Sequence, residues 1–401
     1  MLHEIDTGDS YIGPVADAVL SAIYSNIETT MKTTFNNTLR TVSTIAAVCA
    51  SFAVSAQEVK PAFTWYGTLT LAAENSDDGS FIRNTAQSIS SKLGIKGESE
   101  INPTFKGIFQ IETGVAQDDN ANSNTFANRN SFVGLDSVSA GRVLLGTYDM
   151  PFKDLKGSNA RFDGDDDLLE VVINGKGLKN SASAKLFTDS VHTRQKNVIY
   201  YASPKVSGIQ GKAAYGLDEP ADNTTATVKK PVYGASLEYN EGTFNAGVAF
   251  ETKENANCTV ATCTQATVNG NLNARKVTLG WQGPAFGVGL MVGTLDNGLG
   301  DTFSRKTNSY ALTGTYLRDG FTYRAGYAAL TESYAGLGDD FTMLSFEVVY
   351  ALNKSVNVLG YYSMINNNVG SKARFEAGEN KFSPLSGNDP RVLGAGISYS
   401  F

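Results

Sequence analysis

Histidine and cysteine are scarce in this chain, with two of the first and three of the second among 401 residues. Metal sites and nucleophilic or acid–base centres draw on those residue types, so little is left for either. No G-x-S-x-G, H-E-x-x-H, P-loop or C-x-x-C pattern occurs. Charged residues make up 18%, below the usual level of about a quarter. There is no uninterrupted apolar 20-mer, and the mean hydropathy is −0.18; together these exclude a bundle of membrane-spanning helices. A formal net charge of −7 and a pI near 5.1 argue against nucleic acid as a partner. What the chain has in plenty is 40 glycines, 18 tyrosines and 21 phenylalanines.

Residues 31–56 read MKTTFNNTLRTVSTIAAVCASFAVSA. A basic start at Lys32 and Arg40, a short apolar stretch from Ile45 to Val54 and a small-residue Ala-Val-Ser-Ala ending before Gln57 spell a cleaved export signal. The apolar stretch is too short to span a bilayer as a helix. Residues 1–30 then have no role upstream of a signal, and we read them as a gene-model extension with translation starting at Met31. The expected mature chain is 57–401; losing 1–56 removes two basic and five acidic residues and leaves a net charge of −4. Cys49 goes with the signal. Cys258 and Cys263 remain in a polar Asn/Thr/Ala stretch, where an exported chain is expected to pair them in a small disulfide loop, two free thiols being the alternative.

From Phe63 onward, apolar residues alternate with polar or small ones in segments of about ten residues, a signature of barrel strands. Phe63, Trp65, Leu69 and Leu71 oppose Thr64, Tyr66, Thr68 and Thr70; Val277, Leu279 and Trp281 oppose Lys276, Thr278 and Gln282. The last strand sets Leu393, Ala395, Ile397, Tyr399 and Phe401 against Gly394, Gly396, Ser398 and Ser400. No 3.6-residue period competes. A soluble sandwich would show the same alternation, but here the second face carries charges that a dry core could not solvate. The first face is rich in aromatics near strand ends. Tight turns (Asn102-Pro103, Glu241-Gly242, Gly283-Pro284, Asp319-Gly320, Asn353-Lys354) alternate with long polar stretches near 75–87, 118–128, 150–194, 254–272, 296–307, 332–341 and 366–389.

Strand starts are expected near Ala62, Ser88, Thr104, Asn130, Gly141, Gln195, Gly208, Pro231, Thr243, Asn273, Ala285, Asn308, Phe321, Phe341, Ser355 and Arg391. The fold class is therefore all-β, a transmembrane antiparallel β-barrel of 16 strands. That size leaves an aqueous channel inside.

Five segments, in order, resemble the Gram-negative general porins: SSKLGIKGESE (90–100), FKGIFQIETG (105–114), NRNSFVGLDSVSAGRVLLGTYDMP (128–151), RQKNVIYYASP (194–204) and the terminal GAGISYSF (394–401). The resemblance covers essentially all of 57–401. It implies an outer-membrane location amid lipid and lipopolysaccharide, a homotrimer, and a channel for ions and small hydrophilic solutes. It also implies that Phe401 is read by the outer-membrane assembly machinery, and that the long third loop after GTYDMP folds into the lumen.

That loop carries an acidic run of Asp163, Asp165, Asp166, Asp167 and Glu170. Carboxylates held in a narrow aperture tune ion selectivity; a solvated loop tip is the competing reading of the run. A calcium loop is rejected because Leu168 stands where the turn needs glycine. The basic wall facing the run is expected from Lys92, Lys96, Lys106 and Arg324, with Arg129 and Arg142 of ambiguous parity. Departures from the family pattern are Thr147 and Lys92 in place of arginines, and Ser398 and Ser400 where relatives often carry a base. Lumen acids Glu98, Glu112, Glu238, Glu251 and Glu347 offset the bases, so weak selectivity with a cation lean is expected.

No cofactor or metal is expected. A barrel enzyme would normally need a histidine, and only His192 survives signal removal. A substrate-specific channel would need an aromatic track or a basic cluster in the lumen, where Tyr66 alone faces inward clearly. A plugged, purely structural surface protein is the third alternative.

Overall fold

The computed structural model describes residues 62–118, 126–157, 191–217, 231–254, 256, 270–297, 305–375 and 384–401. The acidic run at 163–170, Cys258, Cys263 and all of 1–56 lie outside the described residues. The strands are β1 (Ala62–Asp77), β2 (Ile82–Ser88), β3 (Lys92–Glu100), β4 (Lys106–Gly114), β5 (Ser131–Ser137), β6 (Gly141–Asp149), β7 (Arg194–Ala202), β8 (Ile209–Gly216) and β9 (Val232–Glu241). They continue as β10 (Phe244–Lys253), β11 (Leu272–Gln282), β12 (Phe286–Asp296), β13 (Lys306–Arg318), β14 (Phe321–Leu330), β15 (Phe341–Ala351), β16 (Val356–Asn367) and β17 (Arg391–Ser400). One short helix, α1 (Pro151–Asp154), follows β6.

Apart from β2 and β3, each strand pairs antiparallel with the next, and β1 closes on β17 from Thr68↔Ser400 to Asp77↔Arg391. The seventeen strands make sixteen staves, because β2 and β3 are two parts of one stave, both lying against β1. The break is local. Ser90 has φ +47°, and the Ser91 hydroxyl accepts from the Thr70 amide at 2.8 Å and donates back to the Thr70 carbonyl at 3.1 Å. A side chain thus replaces a ladder bond at a bulge.

Fifteen of the expected starts fall within three residues of the observed ones. The second does not. The alternation puts it near Ser88, with a loop over 75–87, whereas β1 runs to Asp77 and β2 begins at Ile82. Polar residues such as Asn75, Asn84 and Thr85 read as loop, yet they pair across a hairpin in which the Asn75 amide donates to Asn84 Oδ1 at 2.8 Å. Cross-strand hydrogen bonding takes the place of apolar burial there.

Tight turns gather at one rim. Asp319 and Gly320 both have positive φ, the pairing a two-residue hairpin needs. Asn102 and Asn353 each accept two backbone amides of their own turns through Oδ1. The chain closes at this same rim, where Gly67 and Phe401 exchange backbone bonds of 3.0 and 3.1 Å.

Outward positions carry exposed Phe63, Trp65, Leu279, Leu290, Leu312, Tyr327 and Ile397. Near the tight-turn rim the rings of Phe286, Tyr316, Tyr323, Phe321 and Tyr350 form a continuous ribbon, with neighbouring centroids 4.4–6.1 Å apart. An apolar belt edged by aromatics suits a wall between hydrocarbon and head groups.

The inner face departs from a simple wet wall. A buried apolar cluster includes Leu272, Met291, Leu295, Leu330, Phe341, Met343, Leu359, Ile365 and Val392, and every one of its strand members sits at an inward position from β10 round to β1. A second cluster of Leu144, Val198, Tyr200 and Val232 lies on β6 to β9. At these positions the inner wall is closed to solvent.

Candidate functional site

Antiparallel register places inward side chains of neighbouring strands at the same height, and the lumen uses this to pair charges. Arg324 on β14 is the register partner of Glu347 on β15, and their side chains form an ion pair. Glu347 is 1% exposed, a burial that a carboxylate tolerates only with such a partner. Near the tight-turn rim, Lys106 bonds Glu98 at 2.8 Å and Arg142 bonds Asp136 at 3.0 Å. These two bases therefore stand beside the turns at 101–105 and 138–140 and not at mid-height.

Two of the remaining predicted bases meet at one carboxylate, and the third stands beside it. Glu112 Oε1 accepts from Arg129 Nε at 2.8 Å, and Glu112 Oε2 lies 3.0 Å from the donating Tyr66 hydroxyl and 3.6 Å from Lys92 Nζ. Lys96 stands over the Tyr66 ring at 5.3 Å. The patch thus holds three cations, one anion and a phenol on β1, β3, β4 and the residues before β5. Its residues leave polar atoms open to the lumen, while Gly94 makes room for the Tyr66 ring. Arg129 faces the lumen, which resolves its parity, and Arg142 does so too.

The ends of the third loop rest against the opposite inner wall. On α1, Asp154 accepts from Lys212 Nζ at 2.6 Å and from the Tyr200 hydroxyl at 3.2 Å. Lys212 also meets Glu238 at 2.9 Å. Phe152 is buried with Lys276 Nζ 4.5 Å from its ring centre. Leu155 lies over Gly247, where an added Cβ would have no room. At the returning end, the His192 amide donates to Glu251 Oε2 at 3.2 Å, and its ring meets Phe152 edge-on at 6.1 Å. Both described ends of the loop, 150–157 and 191–193, therefore run inside the barrel against β7 to β11.

Across the closing seam, Thr70 with Ser398 and Thr68 with Ser400 form inward hydroxyl pairs of 2.8 and 3.2 Å. Phe401 is half exposed on the outer face, its ring over Gly67.

Sequence reasoning missed Asp154, Lys212 and Tyr200. Strand parity would have turned Lys212 and Tyr200 inward, but nothing local marked the partner that the loop brings to them. Tyr66 is also not the single inward tyrosine, since Tyr200 and Tyr361 face the lumen as well. Among the described residues no group of histidine, cysteine and carboxylate side chains has the form of a metal site.

The family model described as Gram-negative porin matches residues 42–370. The major outer membrane protein P.IA of Neisseria meningitidis serogroup C is 26% identical over 196 residues, or 44% of this chain. That match spans about half the length of the curated relative, 46%. Among solved structures, an anion-selective porin from Comamonas acidovorans aligns over 85% of this chain and 100% of its own, at 19% identity and a TM-score of 0.68. The trimer form of OmpT, an outer membrane protein of Vibrio cholerae, aligns over 85% and 99% at 18% identity and 0.60. OmpF of Salmonella typhi, solved in complex with daunomycin, aligns over 84% and 97% at 17% and 0.55. At these identities the three structures speak to the fold.

Proposed function

This chain belongs to the Gram-negative porin family, and from that premise we propose that it is an outer-membrane porin: a water-filled channel through which ions and small hydrophilic solutes diffuse passively. The observation that carries the reading is a closed ring of sixteen staves with an apolar outer belt and cross-strand ion pairs inside. A closed barrel leaves no unpaired backbone in hydrocarbon. At sixteen staves its bore exceeds what wall side chains alone can fill.

In this reading the third loop narrows the bore. Its ends already lie against β7 to β11, which supports an inward course for the whole segment. The acidic run of Asp163, Asp165, Asp166, Asp167 and Glu170 then faces the patch of Lys92, Lys96 and Arg129 across the opening. A transverse field of that kind orients dipolar solutes and sorts ions weakly. Lys106 and Arg142, paired near the tight-turn rim, keep the lumen wet there, while Arg324 balances the buried Glu347. Glu98, Glu112, Asp136 and Glu347 neutralise much of the base, and this favours a modest selectivity.

Export by the 31–56 signal, a Cys258–Cys263 disulfide, recognition of Phe401 by the assembly machinery and contact with lipopolysaccharide belong to the same reading. So does a homotrimer; the trimer form of the Vibrio cholerae protein supports it. A channel with no catalytic step needs none of the chemistry the sequence lacks.

Reconstitution into a planar bilayer tests the proposal. Stable conductance steps that scale with bulk electrolyte are expected. A folded barrel that gives none would overturn it in favour of a plugged surface protein.

A further inference from the structure

We infer that residues 368–375, which follow β16, are a second inward-seated element of the channel, and that Phe375 is the residue that seats them and limits the size of solutes entering from the long-loop rim. The inference rests on the channel reading above.

A loop that serves only as a surface connection shows its apolar side chains to water or has none. This one does the reverse. Ala373 and Phe375 are both 0% exposed. Both belong to the apolar cluster whose strand members all point inward, among them Leu330, Phe341, Ile365 and Val392 on the four staves that border the loop. Phe375 therefore joins the interior face of the barrel and not an outer surface.

The polar groups of the loop hold it in that pose. Asn367, the last residue of β16, donates from Nδ2 to the carbonyls of Ala373 at 3.0 Å and Asn388 at 2.7 Å. Its Oδ1 accepts from the Ala373 amide at 3.0 Å and the Ser371 hydroxyl at 2.6 Å. One side chain thus staples both limbs of the connection. The limb at 368–370 is also tied to the preceding loop, where the Gly370 amide donates to the Gly338 carbonyl at 2.8 Å and the Asn368 amide to that of Asp340 at 3.1 Å. That neighbour is itself locked by Asp339, 0% exposed, which accepts from Ser333 at both carboxylate oxygens. Residues 368–375, tied to the stretch before β15 and seated by Phe375, then narrow the mouth beside β14 to β17, and solutes are displaced toward the wall of Tyr66, Lys92 and Lys96.

The test is exclusion of neutral polyethylene glycols of graded size, added at the long-loop side of the full-length channel in a planar bilayer, with single-channel conductance recorded. Phe375→Ser removes the seat and Asn367→Ala cuts the staple; each should shift the exclusion limit to larger polymers and raise conductance. Phe375→Leu, which keeps an apolar occupant, should retain the wild-type limit. A wild-type exclusion limit in folded Phe375→Ser and Asn367→Ala channels overturns the inference. Should Phe375→Ser fail to fold, Asn367→Ala decides alone, since it leaves the apolar seat intact. A wild-type protein without conductance steps would sink the channel reading itself, whereas a conducting wild type with unaltered variants sinks this inference only.

Discussion

Lys212 on β8 and Asp154 on α1 meet at 2.6 Å inside the barrel, the wall reaching out to hold the start of the third loop. Tyr200 and Glu238 complete the contact. The pair is partly buried, and its loss leaves two carboxylates facing each other without the cation between them. Lys212→Met should lower stability by about 2 kcal/mol, read as a fall in the denaturant concentration at which the heat-modifiable band is lost. It should also add noise to the open-channel current, because the loop end gains freedom. A quiet current of wild-type size would show that the rest of the loop is held elsewhere.

Glu112 is the single anion among Arg129, Lys92 and Lys96. Glu112→Gln keeps an acceptor for the Tyr66 hydroxyl but removes the negative charge. Local net charge becomes more positive, so the reversal potential in a salt gradient should move toward that of the anion. An unchanged reversal potential would mean that this patch lies off the permeation path.

The acidic run is tested by Asp165→Asn, Asp166→Asn and Asp167→Asn together. With the carboxylates gone from the aperture, ion preference should again move toward anions. An unchanged preference would place the run outside the constriction, at a solvated loop tip.

Closure of the barrel is tested at Gly67. A Cβ built there would lie 2.6 Å from the Phe401 ring and 2.9 Å from the Lys92 carbonyl, closer than packed atoms tolerate. On refolding in detergent, where no assembly machinery acts, Gly67→Val should reduce the yield of heat-modifiable barrel, and Phe401→Leu in the same chain should recover part of it by vacating the space. Equal yields in wild type and Gly67→Val would show that the seam has slack.

On the outer belt, Leu312 sits midway along β13 and is half exposed. If that face lies in hydrocarbon, Leu312→Lys costs roughly 2–4 kcal/mol, the range for a lysine at the midplane. The same substitution at inward Thr315 should cost far less. Equal costs at the two sites would contradict the assignment of faces.

Several features were readable from residues alone because they depend on local periodicity and turn chemistry. Trp65 against Tyr66 and Leu279 against Thr278 declare which side chains share a face, and Asp319-Gly320 declares a hairpin. The error at Ser88 has the same origin. Ile82–Ser88 carries few apolar residues, and only its register against β1, set by long-range pairing, makes it strand. Arg129 and Arg142 were ambiguous since each lies next to a turn, where alternation has no neighbours on one side to fix it.

What the sequence by itself determined was the alternation, the turns and the number of staves, since these follow from the two-residue period of a strand and the stereochemistry of a few loop residues. What the tertiary structure decided was who meets whom inside the cylinder. Glu112 gathers bases from two segments, Asp154 finds Lys212, and Met291, Phe341 and Ile365 turn inward yet stay dry. Such contacts join residues tens to hundreds of positions apart, and only closing β1 onto β17 and folding loops back into the bore brings them within reach.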